Sequence, residues 1–262
     1  MSGLVAYIAG IGYWSKGLPS WADAVAYARE GVLPENAPAR PSPQLLAPNE
    51  RRRAPESVAV ALEVALAACQ AADRDPATLP SVFASTHGDL GITDYMSQTL
   101  AGEDPASISP TRFHNSVHNA AAGYWTIGAG CMHPATALSA YDATFAQGLL
   151  EAMVQIATGD PAVLLVAYDT AAAGPLMSIH QATGTLGGAL VLTKEATGGR
   201  RIAVRLDEGA ATPSRGPLSL HEPGNAMHPM MPVFDALAHD AAASLCLEAG
   251  AGRALLIDIG PA

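Results

Sequence analysis

The chain has 262 residues, with 14 Lys and Arg against 24 Asp and Glu, a formal net charge of −10. That balance excludes a surface built for nucleic acid, which needs clustered cations. The 49% hydrophobic and 15% charged content excludes a disordered chain. The longest apolar runs, such as Pro161 to Tyr168, fall far short of the roughly 18 residues of a membrane span, so no span is expected. Met1 to Trp14 is apolar with no basic residue ahead of it, and reads as an opening core strand rather than a signal peptide. Cys69, Cys131 and Cys246 are odd in number and form no Cys-x-x-Cys pair, which points to a reducing, cytoplasmic setting.

In chain order, Leu4 to Ile11 reads as a buried strand closed by Gly10 and Gly12. Ser20 caps a helix that Gly31 ends. Prolines at 34, 38, 41, 43 and 48 make the next stretch a surface loop. A helix begins near Pro55, with the stripe Val58, Leu62, Ala65, Leu66 and Cys69, and closes by Pro76. Ser81 to Ser85 reads as a strand, Asp94 to Leu100 as a helix, Ser116 to Ile127 as a small-residue helix and Thr136 to Ser139 as a strand. A helix over Asp142 to Ala157 and a strand over Ala162 to Tyr168 follow. Thr185 to Thr193 and Ile202 to Leu206 read as two strands paired as neighbours, Val233 to Ala249 as a helix and Ala254 to Ile259 as the last strand. This alternation predicts an α/β layered fold, a largely parallel sheet with helices on both faces.

Common chemical signatures are absent. No phosphate loop or Gly-x-Ser-x-Gly elbow occurs, and Gly10-Ile11-Gly12 lacks a third glycine. His114 and His118 are four apart, but no third zinc ligand accompanies them, so neither a metal nor a cofactor is expected. His221, His228 and His239 read as surface residues. Arg51-Arg52-Arg53 is either a solvated helix entrance or a dock for an acidic carrier protein.

The stretch from Ile108 to Thr170 is the most informative. Ser109-Pro110, Asn119-Ala120-Ala121-Ala122-Gly123, the strand ending near Ser139, the helix to Gly159-Asp160 and the strand Val163 to Ala167 resemble the N-terminal half of β-ketoacyl synthases. Their order and spacing are gapless from Pro110 to Asp142. With Arg51-Arg52-Arg53, Asp75-Pro76 and the Ser81 strand, the resemblance covers about residues 1 to 195. It implies a thiolase-like layered fold in one domain over 1–262, a complete first half (1–195) joined to an abbreviated second half (196–262).

In that family a cysteine at the turn between strand and helix takes up the acyl group, where the helix N-terminus stabilises its thiolate. The matching position here is Asp142, a poor nucleophile whose charge opposes a developing oxyanion; its other reading is a helix cap. The family's two histidines, in His-Gly-Thr and Gly-His motifs, have no counterpart after residue 195. No catalytic residue is therefore assigned. Such a chain is similar to chain-length factors, and the phrase Phe113 to Trp125 resembles the short ketosynthase-like subunit of aryl polyene pathways.

The resemblance implies a heterodimer with an active β-ketoacyl synthase across the strand Thr136, Ala137, Leu138, Ser139. Thr111, Arg112, Phe113, His114 and Ser116 are then the residues that either shape the partner's acyl tunnel or pack the interface, with an acyl carrier protein as a second partner. Two other readings remain open at this point: an acyl-transfer or hydrolytic enzyme using Asp142 with His114 or His118, and a homodimeric noncatalytic scaffold.

Overall fold

A computed structural model describes residues 3–178, 182–196 and 198–261; Met1 and Ser2, part of the expected opening strand, lie outside the described residues. In chain order the elements are β1 (Leu4–Ser15), α1 (Trp21–Glu30), α2 (Pro48–Arg51), α3 (Glu56–Ala71), β2 (Ser81–Ala84), α4 (Leu90–Ala101), α5 (Pro110–His114) and α6 (Ala120–Ala129). They continue with β3 (Ala135–Leu138), α7 (Thr144–Thr158), β4 (Ala162–Asp169), β5 (Leu186–Thr193), β6 (Arg200–Asp207), α8 (Pro217–His221), α9 (Met231–Ala238), β7 (Ala243–Gly250) and β8 (Arg253–Ile259).

The eight strands form one sheet in the order β3-β2-β4-β5-β1-β6-β8-β7. The sheet is mixed rather than largely parallel. Only β2 with β3 and β2 with β4 run parallel, and every other pairing is antiparallel. Connections long enough for a helix allow parallel pairing but do not impose it. The expected pairing of the strands at 185–193 and 202–206 is also corrected: β1 lies between them and pairs with both.

Two cores cover the two faces. On one, Val60, Leu62 and Val64 of α3 and Trp125 of α6 pack on Phe83, Leu164, Val166 and Val191. On the other, Phe145, Leu149 and Met153 of α7 and Phe234 of α9 pack on Val82, Leu165, Leu190 and Ile257. Because helices cover both faces, β4 and β5 are buried at every residue, as an unbroken apolar run requires.

Ser20 caps α1, its hydroxyl accepting from Asp23 N, and Gly31 ends it with φ 70°, as the sequence signals. Elsewhere the boundaries move. Gly10 and Gly12 do not close β1 but sit inside it, where α3 crosses so closely that a Cβ on Gly12 would come within 2.0 Å of Val64 O. The missing side chains thus serve helix-to-sheet contact rather than a turn. Asp89 caps α4 through Ile92 N at 2.9 Å, which moves that helix start back to Leu90.

The helix expected from Ser116 begins at Ala120, after the separate turn of α5, and α7 begins at Thr144 rather than Asp142. The segment 233–249 is not one helix: α9 ends at Ala238 and β7 follows. The apolar run Ala241 to Leu247 is compatible with either period, and pairing with β8 decides it. No helix among the described residues is long and apolar enough to cross a membrane.

The close approach gives a test. Gly12→Ala should lower unfolding free energy by about 3 kcal/mol through overpacking, read as a lower urea midpoint at unchanged slope. A midpoint within error of wild type would show that α3 can retreat.

Candidate functional site at the edge-strand turn

Strands β2, β3 and β4 are parallel, so their C-terminal ends lie on one side of the sheet. The connection from β2 to β3 carries α6 on one face, and the connection from β3 to β4 carries α7 on the other. A crevice opens outside the strand ends where such connections diverge, and open α/β sheets place sites there.

The crevice is organised by a carboxylate. Asp169, the last residue of β4, is fully buried. Its Oδ1 accepts from Ser85 Oγ at 2.7 Å and from His87 N at 3.3 Å, and its Oδ2 accepts from Thr86 N at 2.8 Å. Burial pushes the Asp169 carboxyl above its ordinary 3.8, and these hydrogen bonds to the charged form pull it part of the way back.

The network then spreads outward. Ser85 Oγ accepts from Gly88 N at 2.8 Å, and His118 Nε2 donates to Ser85 O at 2.8 Å. Ser139 Oγ donates to Thr86 O at 2.9 Å. Thr144 Oγ1 accepts from Ala140 N at 3.0 Å and donates to Tyr141 O at 2.6 Å, closing the turn between β3 and α7.

The residue at the apex of that turn is Tyr141, with φ 54°, followed by Asp142 in a single 3-10 turn. Both are exposed. The N-cap position of α7 is Ala143, one residue past Asp142, and its methyl side chain makes no capping bond. Thr144 Oγ1 ties the turn together. No thiol is present at the turn, since Cys69 and Cys131 are buried elsewhere and Cys246 is on β7.

The other expected residues divide. Thr136, Ala137 and Leu138 lie in β3, with Ser139 one residue past its end, and β3 is an open edge of the sheet. Thr111, Arg112, Phe113 and His114 all lie on the exposed turn of α5. Thr111 and His114 line a cleft of about 420 Å³ against Leu46, Val117, Tyr124 and Ile127. His114 meets Tyr124 edge-on with ring centroids 6.0 Å apart.

Arg112 turns the other way, its guanidinium 4.0 Å from the Tyr95 ring centroid, a cation–π contact. Phe113 is 63% exposed, and Ser116 only closes the local turn through Phe113 O. Of the histidines read as surface residues, His239 is exposed as expected, while His221 and His228 are half-buried; each of the three rings bonds a main-chain carbonyl. Among the described residues no group of three His, Cys, Asp or Glu side chains could hold a metal.

Sequence reasoning missed Asp169, Ser85 and Thr86. The one available signal was an acid ending an otherwise apolar strand, Ala162 to Tyr168. A carboxylate there must either leave the core or be fully hydrogen-bonded.

The layered α/β fold, with a strand-to-helix turn beside its edge strand, fits the class of protein that the comparisons show. The family model of the β-ketoacyl synthase N-terminal domain matches residues 21–249, so the chain belongs to the β-ketoacyl synthase family. Among solved structures it is similar to a chain of the ketosynthase ApeO in complex with its chain length factor ApeC from Xenorhabdus doucetiae, with TM-score 0.75 and 21% identity, over 97% of this chain and 99% of that one.

The ishigamide ketosynthase/chain length factor follows, with TM-score 0.74 and 16% identity over 98% and 99% of the two chains. AntDE with AntF, a type II polyketide acyl-carrier protein in complex with its ketosynthase, gives TM-score 0.75 and 11% identity over the full length of both. At these identities the structures establish the fold, which is that of the thiolase-like ketosynthases. No curated protein matches the sequence.

The buried carboxylate yields a prediction with a definite sign. Folding raises the Asp169 pKa, so the folded state holds this proton to higher pH than the unfolded chain, and stability falls as pH climbs from 3.8 through the raised value. Asp169→Asn removes that linkage and strands a buried donor, at a cost of roughly 1–3 kcal/mol. In urea titrations from about pH 4 to 7, the gap between wild type and variant should be widest at the acid end and narrow as pH rises. A gap independent of pH would show that Asp169 keeps an ordinary pKa.

Proposed function

We propose that this chain is a noncatalytic, chain-length-factor-type subunit that pairs with an active β-ketoacyl synthase and shapes its acyl tunnel. The observation that carries the reading is the strand-to-helix turn itself: the fold presents it, but Tyr141 and Asp142 occupy it and no thiol is there. A carboxylate is too weak a nucleophile toward thioesters to replace a thiolate. The alternative enzyme, with Asp142 activated by His114 or His118, draws no support from contacts that commit those rings to Tyr124 and Ser85.

The open edge supports pairing. Ser81 N donates to Pro134 O and Ser85 N to Leu138 O, so by alternation Thr136 also faces β2 while Ala135 and Ala137 present their N–H and C=O groups outward. Exposed Met132 (95%) and Ile127 (81%), with Tyr141, flank this edge in sequence. An unprotected edge beside exposed apolar side chains suits a partner's strand. In this reading the α5 turn closes the tunnel floor, and each methylene of a chain too long to fit forfeits about 0.8 kcal/mol of burial.

The similar structures are complexes of ketosynthases with a chain length factor or a carrier protein. We extend to this chain the same partners, polyketide-type aryl polyene chemistry and, from its three unpaired cysteines, a cytoplasmic setting. We also assign residues 1–195 to a first half and 196–262 to an abbreviated second half.

Co-expressed with an active β-ketoacyl synthase of a type II polyketide system, the wild-type chain should co-purify as a heterodimer. Ala137→Pro should abolish co-purification without unfolding the chain, because it removes an outward donor and leaves the β2 ladder intact. Retained pairing in that variant would place the interface elsewhere, and a stable self-dimer that ignores the ketosynthase would favour a homodimeric scaffold. Phe113→Ala in the assembled pair should lengthen the product by one or more extension units, read by mass spectrometry. An unchanged product distribution would make α5 packing only.

A further inference from the structure

On the face of the sheet opposite α6, a groove of about 420 Å³ runs between the end of β3 and the outer side of α7. Leu138, Ala140, Leu150 and Val154 line it, with Glu151 as its one charged side chain. Glu151 is half-buried, and its Oε1 accepts from Gln155 Nε2 at 2.8 Å. No cation pairs with it among the described residues.

The charge along this edge is one-sided. From Phe113 to Thr193 the chain has no Lys or Arg, and that stretch supplies α6, β3, the turn and α7. It does supply acids: Asp142 is exposed on the turn and Glu151 lies on α7. The β7–β8 hairpin, which packs on the turn with Gly250 against Ala143, carries Arg253, but that guanidinium is bonded to Asp207 O at 3.3 Å.

A second copy of this chain is therefore a poor partner. Two copies that joined their β3 edges about a two-fold axis would continue the sheet and keep each helix layer on its own side, so α7 would face α7. Glu151 would lose water there and meet only the same acid-bearing surface. Covering a carboxylate without a counter-charge is strongly unfavourable.

A partner with a cation at that place turns the same residue into an attraction, and charge across an interface excludes wrong partners as well as holding right ones. We infer that Glu151 makes the α7 groove a selector, which disfavours a second copy of this chain and admits a different chain that sets an arginine or lysine opposite it. This rests on the reading that a partner's strand joins β3, and it adds the chemistry that the partner must carry.

Sedimentation of the full chain alone and calorimetric titration with an active β-ketoacyl synthase of a type II polyketide system test it together. Alone, the wild type should stay monomeric, Glu151→Gln should self-associate about tenfold more tightly, and an equal mixture of wild type with Glu151→Lys should form a mixed dimer. Against the ketosynthase, Glu151→Lys should bind about tenfold more weakly than wild type, and added salt should weaken wild type more than Glu151→Gln. Gln and Lys are good helix formers, so both variants should fold as wild type does. Wild type that fails to bind the ketosynthase would overturn the underlying reading, while the self-association arm still decides the selector. A stable wild-type self-dimer, no gain in self-association by Glu151→Gln, or Glu151→Lys binding the ketosynthase with wild-type affinity and salt dependence would overturn the selector itself.

Discussion

A carboxylate with no exposed surface ends β4, and the geometry of the strand-end crevice depends on it. Asp169 cannot be solvated, so three donors from the loop after β2 must be brought to it. That requirement fixes the conformation of Ser85, Thr86 and His87. The Ser85 carbonyl then holds His118 and the Thr86 carbonyl holds Ser139. A charge in one strand thereby sets the position of the neighbouring turn two strands away. Asn225 bonds the Asp169 carbonyl at 3.2 Å and Thr183 O at 3.0 Å, tying the loop before α9 to the same point. Removing one member of such a network leaves others buried and unpaired, so its parts stand or fall together.

The two ends of the sheet are treated differently. At the far end the chain covers its own edge: Thr212 N donates to Cys246 O at 2.5 Å and Thr212 Oγ1 accepts from Cys246 N at 2.7 Å, so a loop residue takes the outward groups of β7. Among the described residues no such loop arrives at β3, and the strand carries neither proline nor charge within Ala135 to Leu138. Proteins that stay monomeric blunt their edges by these means. Protecting one edge while leaving the other open fits the strand pairing proposed above.

How much of this was legible beforehand followed from how local the cause was. The caps of α1, the proline loop and the buried β4 were readable because Ser20, Gly31 and an eight-residue apolar run act within their own segment. Gly10 and Gly12 misled because a glycine that ends a strand and one that admits a helix look alike in sequence; only the approach of Val64 O separates them. The same holds for residues 239–249, whose conformation is decided by β8, and for the strand order, in which β1 inserts between two segments nearly two hundred residues away. At the site, the family resemblance located the turn and the edge strand. It could not reveal the Asp169 hub, because Ser85 and Asp169 are 84 residues apart.

The apex of the turn carries the last step. A non-glycine residue at φ 54° costs roughly 1–2 kcal/mol, and glycine or asparagine would occupy the position more cheaply. Tyrosine is present nonetheless, about half exposed, where β3 gives way to α7. Thr144 holds the peptide on either side of it, so the strain is imposed by the fold rather than chosen by the side chain. The turn holds this strained geometry with no thiol at it. What it presents here is an aromatic ring beside an open strand edge, and aromatic rings are among the side chains enriched in protein interfaces.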